Sequence, residues 1–304
     1  MKKTKFWSPV LVFIAAMLWA TDAPFRLNVT EKLSSALIVF IEHTISLIVL
    51  FPLLIKVIPK LKVLSIKSWV SLLTIGIGSS ALALIAFTEA FHYLNPSAAI
   101  LLQKLQPFIA VFLAYYLLRE KFGKWFWQLA LLAIFGAYLI SFPDLVPRVY
   151  EGEIWSPHFI GILLALIAAL LWGAGTVLGR ITLKELEWKE VTVARFFIGF
   201  LFLLIWNIVS GDIATMPSIS AQSYLFLFVM SMVSGAVGLL IYYKGLRNTP
   251  ASVATIAELG FVVAAVLVNF VFIDAKLLPM QIVGMIIVLI AVLGLAKKQE
   301  VMEV

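Results

Sequence analysis

Residues 159–180 read FIGILLALIAALLWGAGTVLGR, and no charged side chain interrupts the run before Arg180. A helix needs roughly 20 mostly apolar residues to cross the hydrocarbon core of a bilayer, and this run supplies them. Nine further stretches have the same character, so ten spans are expected: 8–27, 34–56, 69–92, 95–118, 124–142, 159–180, 190–210, 222–247, 250–273 and 277–296. Composition agrees. Of the 304 residues 63% are hydrophobic and 13% charged, whereas soluble domains are near half apolar and a quarter charged. A soluble fold of this length could not hide that much apolar surface. Cysteine is absent, which removes disulfides, thiol nucleophiles and thiolate metal sites from consideration. The formal charge of +7 is spread over short connections and forms no basic face for nucleic acid.

The longest gap, 143–158, carries Pro143, Pro147 and Pro157 and has no apolar period. It reads as an extracytoplasmic link between two halves, 1–142 and 159–304. The first run, 8–27, follows a basic start but is as long as a full span. Ala20-Thr21-Asp22-Ala23 is a poor cleavage site, so this helix is expected to be retained. With the N-terminus inside, 17 of the 23 Lys and Arg fall in inner segments. Only Arg26, Lys32, Arg148 and Lys276 fall in outer ones. This bias predicts both termini in the cytoplasm and a multi-pass protein of the inner, or plasma, membrane.

The opening stretch has a counterpart. Ala168-Ala169-Leu170-Leu171-Trp172 matches Ala15-Ala16-Met17-Leu18-Trp19 at an offset of 153, which also pairs Glu42 with Arg195. An offset of 154 pairs Pro96 with Pro250, Lys104 with Glu258, Leu105 with Leu259 and Glu120 with Asp274. Five spans per half is an odd number, so the second half enters the membrane from the opposite side. The fold expected is therefore all-α and integral to the membrane, with ten transmembrane helices as two inverted five-helix repeats. Carriers use such repeats for alternating access, with the solute near the midplane.

These features together resemble the drug/metabolite transporter superfamily, in its ten-helix EamA-type branch. The resemblance is carried by the five-plus-five repeat and by Leu18-Trp19 and Leu171-Trp172. It is carried also by Asn95-Pro96-Ser97-Ala98 and Thr249-Pro250-Ala251-Ser252, and by Leu105-Gln106-Pro107 before a helix ending in Arg119-Glu120. It covers nearly the whole chain. In the second half Gly260-Phe261 replaces the Gln-Pro step, and Asp274 stands where a Glu is usual. The resemblance implies that helices 5 and 10 stand at the periphery.

Seven charged residues fall inside the expected spans, away from clear loops: Asp22, Glu42, Glu89, Lys104, Arg195, Lys244 and Glu258. Facing lipid at the bilayer centre, each would cost roughly 2.5–3.5 kcal/mol. They must therefore pair, face the bundle interior or touch a water-filled cavity. The candidate solute ligands are Glu42, Lys104, Arg195 and Glu258, with Trp19 and Trp172 stacking on the solute or gating it. Asp22, Glu89, Tyr242 and Lys244 are candidate vestibule or gate residues. Internal ion pairs and ordinary packing are the competing readings of all these positions, and Lys104 is expected to meet Glu258 or share a cavity with it. His43, beside Glu42, could shuttle protons, and a core histidine is the favoured reading.

No Gly-rich phosphate loop, His-Glu-x-x-His or Gly-x-Ser-x-Gly occurs, which argues against ATP-driven pumping and hydrolysis. No carbonyl filter motif or ring of one charge sign points to a channel. The expected function is secondary transport: export of a small polar or zwitterionic metabolite such as an amino acid, with drug or lipophilic-cation efflux as the alternative. A channel or an embedded enzyme is the alternative of another class. No catalytic residue, cofactor or metal is expected. The expected partners are a small-molecule solute and the lipid bilayer, with room for a homodimer and no place for nucleic acid.

Overall fold

The structure, a computed structural model, describes residues 2–94, 96–145, 158–272, 276–298 and 301–302. The connection predicted over 143–158 lies mostly outside them, as do Asn95 and Asp274. Nine helices among the described residues are long and apolar enough to cross a membrane. They are α1 (Phe6–Thr30), α2 (Ser35–Leu61), α3 (Ile66–Ala90), α4 (Ala98–Leu118), α6 (Phe159–Thr182), α7 (Trp188–Ser210), α8 (Ala221–Leu246), α9 (Ala251–Phe272) and α10 (Pro279–Lys298). Helix α5 (Phe126–Ser141) is apolar but shorter. Its 16 residues rise about 24 Å, less than the ~30 Å of a hydrocarbon core. Where ten spans are expected, nine long apolar helices and one shorter apolar helix stand among the described residues.

The helices start where short polar side chains can take the orphan N–H groups of a first turn. Ser34 accepts from Leu37 N, Ser65 from Ser68 N and Ser220 from Ser223 N. Glu187 and Glu190 form a reciprocal cap on α7. Gly211 ends α7 in the left-handed region, where a residue without Cβ pays no steric cost.

Several helices are interrupted at membrane depth. In α1 the regular helix stops at Ala20 and resumes at Ala23. It runs on to Thr30, past the predicted end, and carries Arg26 into the bundle. Helices α4 and α9 break at Lys104-Leu105 and at Glu258-Leu259, where i→i−3 bonds replace the regular ladder. Helices α3 and α8 each contain a wider π-helical stretch, Thr74–Leu82 and Ser231–Val237. Thus the third and fourth helices of both sets of five are irregular at matching places.

Packing intertwines the two sets. Helix α1 lies against α8 and α9, and α6 against α3 and α4. Helices α5 and α10 pack on each other. A Cβ on Gly284 would lie 2.6 Å from the Gly136 carbonyl oxygen, so those backbones touch. Large apolar side chains such as Ile48, Phe112, Leu131, Ile205 and Val271 point outward and are more than half exposed. Polar and charged groups including Glu42, Thr88, Arg195 and Glu258 are buried. That inversion is the pattern of a protein whose solvent is lipid.

Candidate functional site

The irregular helices converge on a cavity of about 160 Å³. Its lining comes from α1–α4 and α6–α9, while α5 and α10 contribute nothing to it. Most of the wall is apolar and aromatic. Trp19 sits on the last turn before the α1 interruption, its ring tilted against Tyr242 with centroids 5.0 Å apart. Gly238 leaves the room: a Cβ there would come within 3.1 Å of the Trp19 indole nitrogen. Trp172 meets Phe87 edge-on at 5.2 Å, and its indole N–H donates to the carbonyl of Ser79, inside the π-helical stretch of α3, at 3.0 Å. The repeat-related tryptophans therefore stand on two walls of one cavity.

Two kinds of charge line it. The first is a compact cluster. Arg26 Nη2 lies 2.9 Å from Asp22 Oδ2 and 2.7 Å from Glu42 Oε1, and Nη1 donates to Thr88 Oγ1 at 3.0 Å. Asp22 and Arg26 are four residues apart and so share a helix face. Sequence reasoning put Arg26 in an outer connection, and this is a correction: it is buried and is the partner of Glu42, in place of any pairing between Glu42 and its repeat mate Arg195. Among the described residues Glu42 Oε2 has no hydrogen-bond partner.

The second kind consists of charges held by neutral groups, with no salt bridge among the described residues. Arg195 donates to Ser80 Oγ at 2.9 Å, to Tyr243 OH at 3.1 Å and to Ser79 O at 3.2 Å. Glu258, at the α9 break, accepts from Tyr242 OH at 2.8 Å, from Thr176 Oγ1 at 3.0 Å and from Gln106 Nε2. Among the described residues neither has an oppositely charged group within 4.0 Å. His43 also lines the cavity, with Val39 O on one ring nitrogen and Ser80 Oγ on the other.

Of the expected solute ligands, Trp19, Glu42, Trp172, Arg195 and Glu258 line this cavity and Lys104 does not. Lys104 donates to Ser141 Oγ. It forms no direct pair with Glu258, but both line a smaller adjoining cavity of about 30 Å³. Of the expected vestibule residues, Asp22 and Tyr242 line the main cavity itself. Glu89 accepts from Ser35 Oγ at 2.7 Å, and Lys244 lies over the Trp188 ring at 5.7 Å; neither lines the cavity. Sequence reasoning missed Arg26, Gln103, Ser79 and Ser80 as lining residues. Gln106 was read only as a family motif.

One end of the bundle is fastened by bonds between the first and last five helices. Lys60 Nζ lies 2.5 Å from Glu190 Oε1. Glu185 accepts from Ser65 N at 2.9 Å, Ser65 Oγ at 2.5 Å and Ser68 Oγ at 2.6 Å. These bonds hold its carboxyl below the usual carboxylate range. Glu120 accepts from Ala251 N at 2.6 Å, Ser252 N at 3.2 Å and Ser252 Oγ.

The chain matches the EamA-like transporter family twice, over residues 6–142 and 159–297. It is similar to a riboflavin transporter, ImpX, of Fusobacterium nucleatum subsp. nucleatum, at 28% identity over 295 residues, which cover 95% of this chain and 97% of the relative. It is also similar to an uncharacterized transporter of Clostridium kluyveri, 25% identical over 252 residues, covering 81% and 79%. A crystal structure of a protein 16% identical superposes with a TM-score of 0.73 over 96% of each chain, a likeness of fold.

Proposed function

The chain belongs to the EamA-like transporter family of the drug/metabolite transporter superfamily and is a transporter rather than an enzyme; from this premise we propose that its central cavity is the solute site of a secondary carrier. The solute is a small polar metabolite with a planar ring, of which riboflavin is the representative. The observation that carries this reading is the cavity lining, in which Trp19 and Trp172 stand with a buried guanidinium, Arg195, and a buried carboxyl group, Glu258, that make no salt bridge among the described residues. Tryptophan faces suit a flat ring system. Arg195 and Gln106 can donate to ring carbonyls, Glu258 can accept from a ring N–H or a hydroxyl, and Ser46, Ser79, Ser80 and Ser231 can serve a hydroxylated chain. The relative named as a riboflavin transporter supports this choice. The two unpaired charges favour a second reading, a zwitterion such as an amino acid, with Arg195 on its carboxylate and Glu258 near its ammonium.

The carrier works by alternating access between two inverted five-helix halves, 1–142 and 159–304, joined by the extracytoplasmic segment 143–158. In this reading α5, though short, is a tenth span, both termini are cytoplasmic, and export across the plasma membrane is the working direction.

The test is uptake into proteoliposomes of the purified protein. Saturable riboflavin flux is expected, with Trp172→Ala weakening apparent affinity roughly 10- to 100-fold, the worth of one lost stacking contact of ~1–3 kcal/mol. Trp172→Phe should lose much less. Saturable flux of amino acids without riboflavin flux would replace the first reading by the second. Flux of neither, or flux that does not saturate, would sink both.

A further inference from the structure

Helix α4 packs on α6 and α9, and α5 packs on α10 and α9. Between α4 and α5 this leaves a groove of about 380 Å³, with the buried Ile256 of α9 at its floor. Its walls are apolar and aromatic. Phe112, Tyr115 and Tyr116 of α4 and Trp127 and Leu131 of α5 line it, and each is more than half exposed. On α4 the lining runs from Pro107, just past the helix break, to Tyr116 near the helix end. That is about 14 Å of helix, nearly the depth of one leaflet of a ~30 Å hydrocarbon core.

The end of the groove toward Leu118 is basic. Phe122 lines it, with Lys121 and Lys124 on either side in the chain. Lys121 and Phe122 pair with Met302 and Val301, which brings the end of α10 to the same turn. Lys298 Nζ lies 3.6 Å and Lys124 Nζ 5.9 Å from the centre of the Trp125 ring. Arg119, Lys121, Lys124, Lys297 and Lys298 are exposed and make no salt bridge among the described residues. The acid of this turn, Glu120, is buried and engaged on the first N–H groups of α9. Glu300 and Glu303 lie outside the described residues, and with them counted the cations remain in excess.

We propose that this groove binds one anionic phospholipid, with an acyl chain between α4 and α5 and the phosphate among the lysines of the 121–124 turn and the end of α10. A groove that opens to the bilayer and is one leaflet deep takes hydrocarbon. A juxtamembrane cluster of Lys and Arg attracts anionic headgroups. Tyrosine and tryptophan rings sit at headgroup level, and the hydroxyls of Tyr115 and Tyr116 can donate to phosphate or ester oxygens. A second copy of the chain fits less well. A two-fold interface sets one patch against itself, which would bring two basic clusters together. Pro107 lines both this groove and the small cavity beside Glu258, so the bound chain would lie against the helix breaks that border the central cavity. The lipid site stands whichever solute that cavity takes.

Native mass spectrometry tests this on the purified protein in detergent, with phosphatidylglycerol and phosphatidylcholine added in equal amounts. One phosphatidylglycerol should be retained in preference. Lys121→Gln, Lys124→Gln and Lys298→Gln together should weaken its binding roughly tenfold or more. Leu131→Trp enlarges an exposed side chain of the groove wall and should displace the lipid, whereas Ile205→Trp, exposed on α7, should not. In nanodiscs, phosphatidylglycerol with a photoreactive acyl chain should label peptides of α4 and α5. The lysine variant and the labelling decide the matter if Leu131→Trp does not fold. Equal retention of phosphatidylcholine, undiminished binding in the lysine variant, or label spread evenly over the lipid-facing helices would overturn the lipid site. So would disulfide cross-linking of two copies through Phe112→Cys, which would make the groove a dimer interface.

Discussion

Arg26 illustrates how a single charge organises the wall of a lipid-embedded cavity. It is 2% exposed and holds two carboxylates from two helices. Removing one partner of a buried ion pair leaves an uncompensated charge, which costs about 3–5 kcal/mol, whereas removing both sides together costs far less. Arg26→Met should therefore lower the thermal unfolding midpoint of the detergent-solubilised protein sharply. Adding Asp22→Asn and Glu42→Gln should restore most of the loss; equal damage in the single and triple variants would show that the arginine acts by packing alone. In the sequence, the burial of Glu42, Arg195 and Glu258 was legible, because an intramembrane charge has nowhere else to go. Their partners were not. Arg26 stands four residues after Asp22, a spacing that marks one helix face, but Pro24 and the nearby polar residues made the stretch look like the end of a span.

At the scale of the element, the breaks in α4 and α9 and the π-helical stretches of α3 and α8 free backbone and side chains to line the cavity. Lys104 and Glu258 could be paired from the repeat, since the 154-residue offset was visible in Pro96 and Pro250. That they occupy helix breaks was not visible. Lys104 has no helix breaker beside it before Pro107, and backbone hydrogen-bond patterns leave no periodic trace in composition. The π-helical stretches are rich in Gly and Ser, which read equally well as packing positions. Glu120 was legible as the partner of Asp274 in the repeat but not in its role, which depends on a fold-back at Arg119. That residue is left-handed, with φ 56°. The turn swings Glu120 onto the first N–H groups of α9, where a carboxylate satisfies orphan donors and the positive end of the helix dipole. Glu120→Ala should cost about 1–2 kcal/mol of stability, read as a lower unfolding midpoint, with Glu120→Asp or Glu120→Gln recovering part of it. An unchanged midpoint in Glu120→Ala would mean that water replaces the cap without loss.

For the whole molecule, the bonds that fasten one end are the kind that can open. Exposed pairs such as Lys60 with Glu190 are typically worth up to ~1 kcal/mol each, so releasing several of them is within reach of a solute that binds the two states unequally. The repeat predicts alternating access, and Glu89 and Lys244 are among the residues expected at its vestibules or gates. Neither lines the cavity, so better markers are Leu84, which is half-buried in the cavity wall, and Leu186, which is 3% exposed at the fastened end beside Glu185. The native chain has no cysteine to remove. In vesicles, Leu84→Cys should react with an impermeant thiol reagent in the state described here, and Leu186→Cys should stay protected. Glu185→Ala combined with Glu190→Ala weakens the fastening and should reverse that order. A saturating solute should move the two reactivities in opposite directions, since opening one path closes the other. If both cysteines react fully and together, and neither the latch variants nor solute changes either rate, the two paths are open at once. The molecule would then be a pore, and alternating access would have to be abandoned.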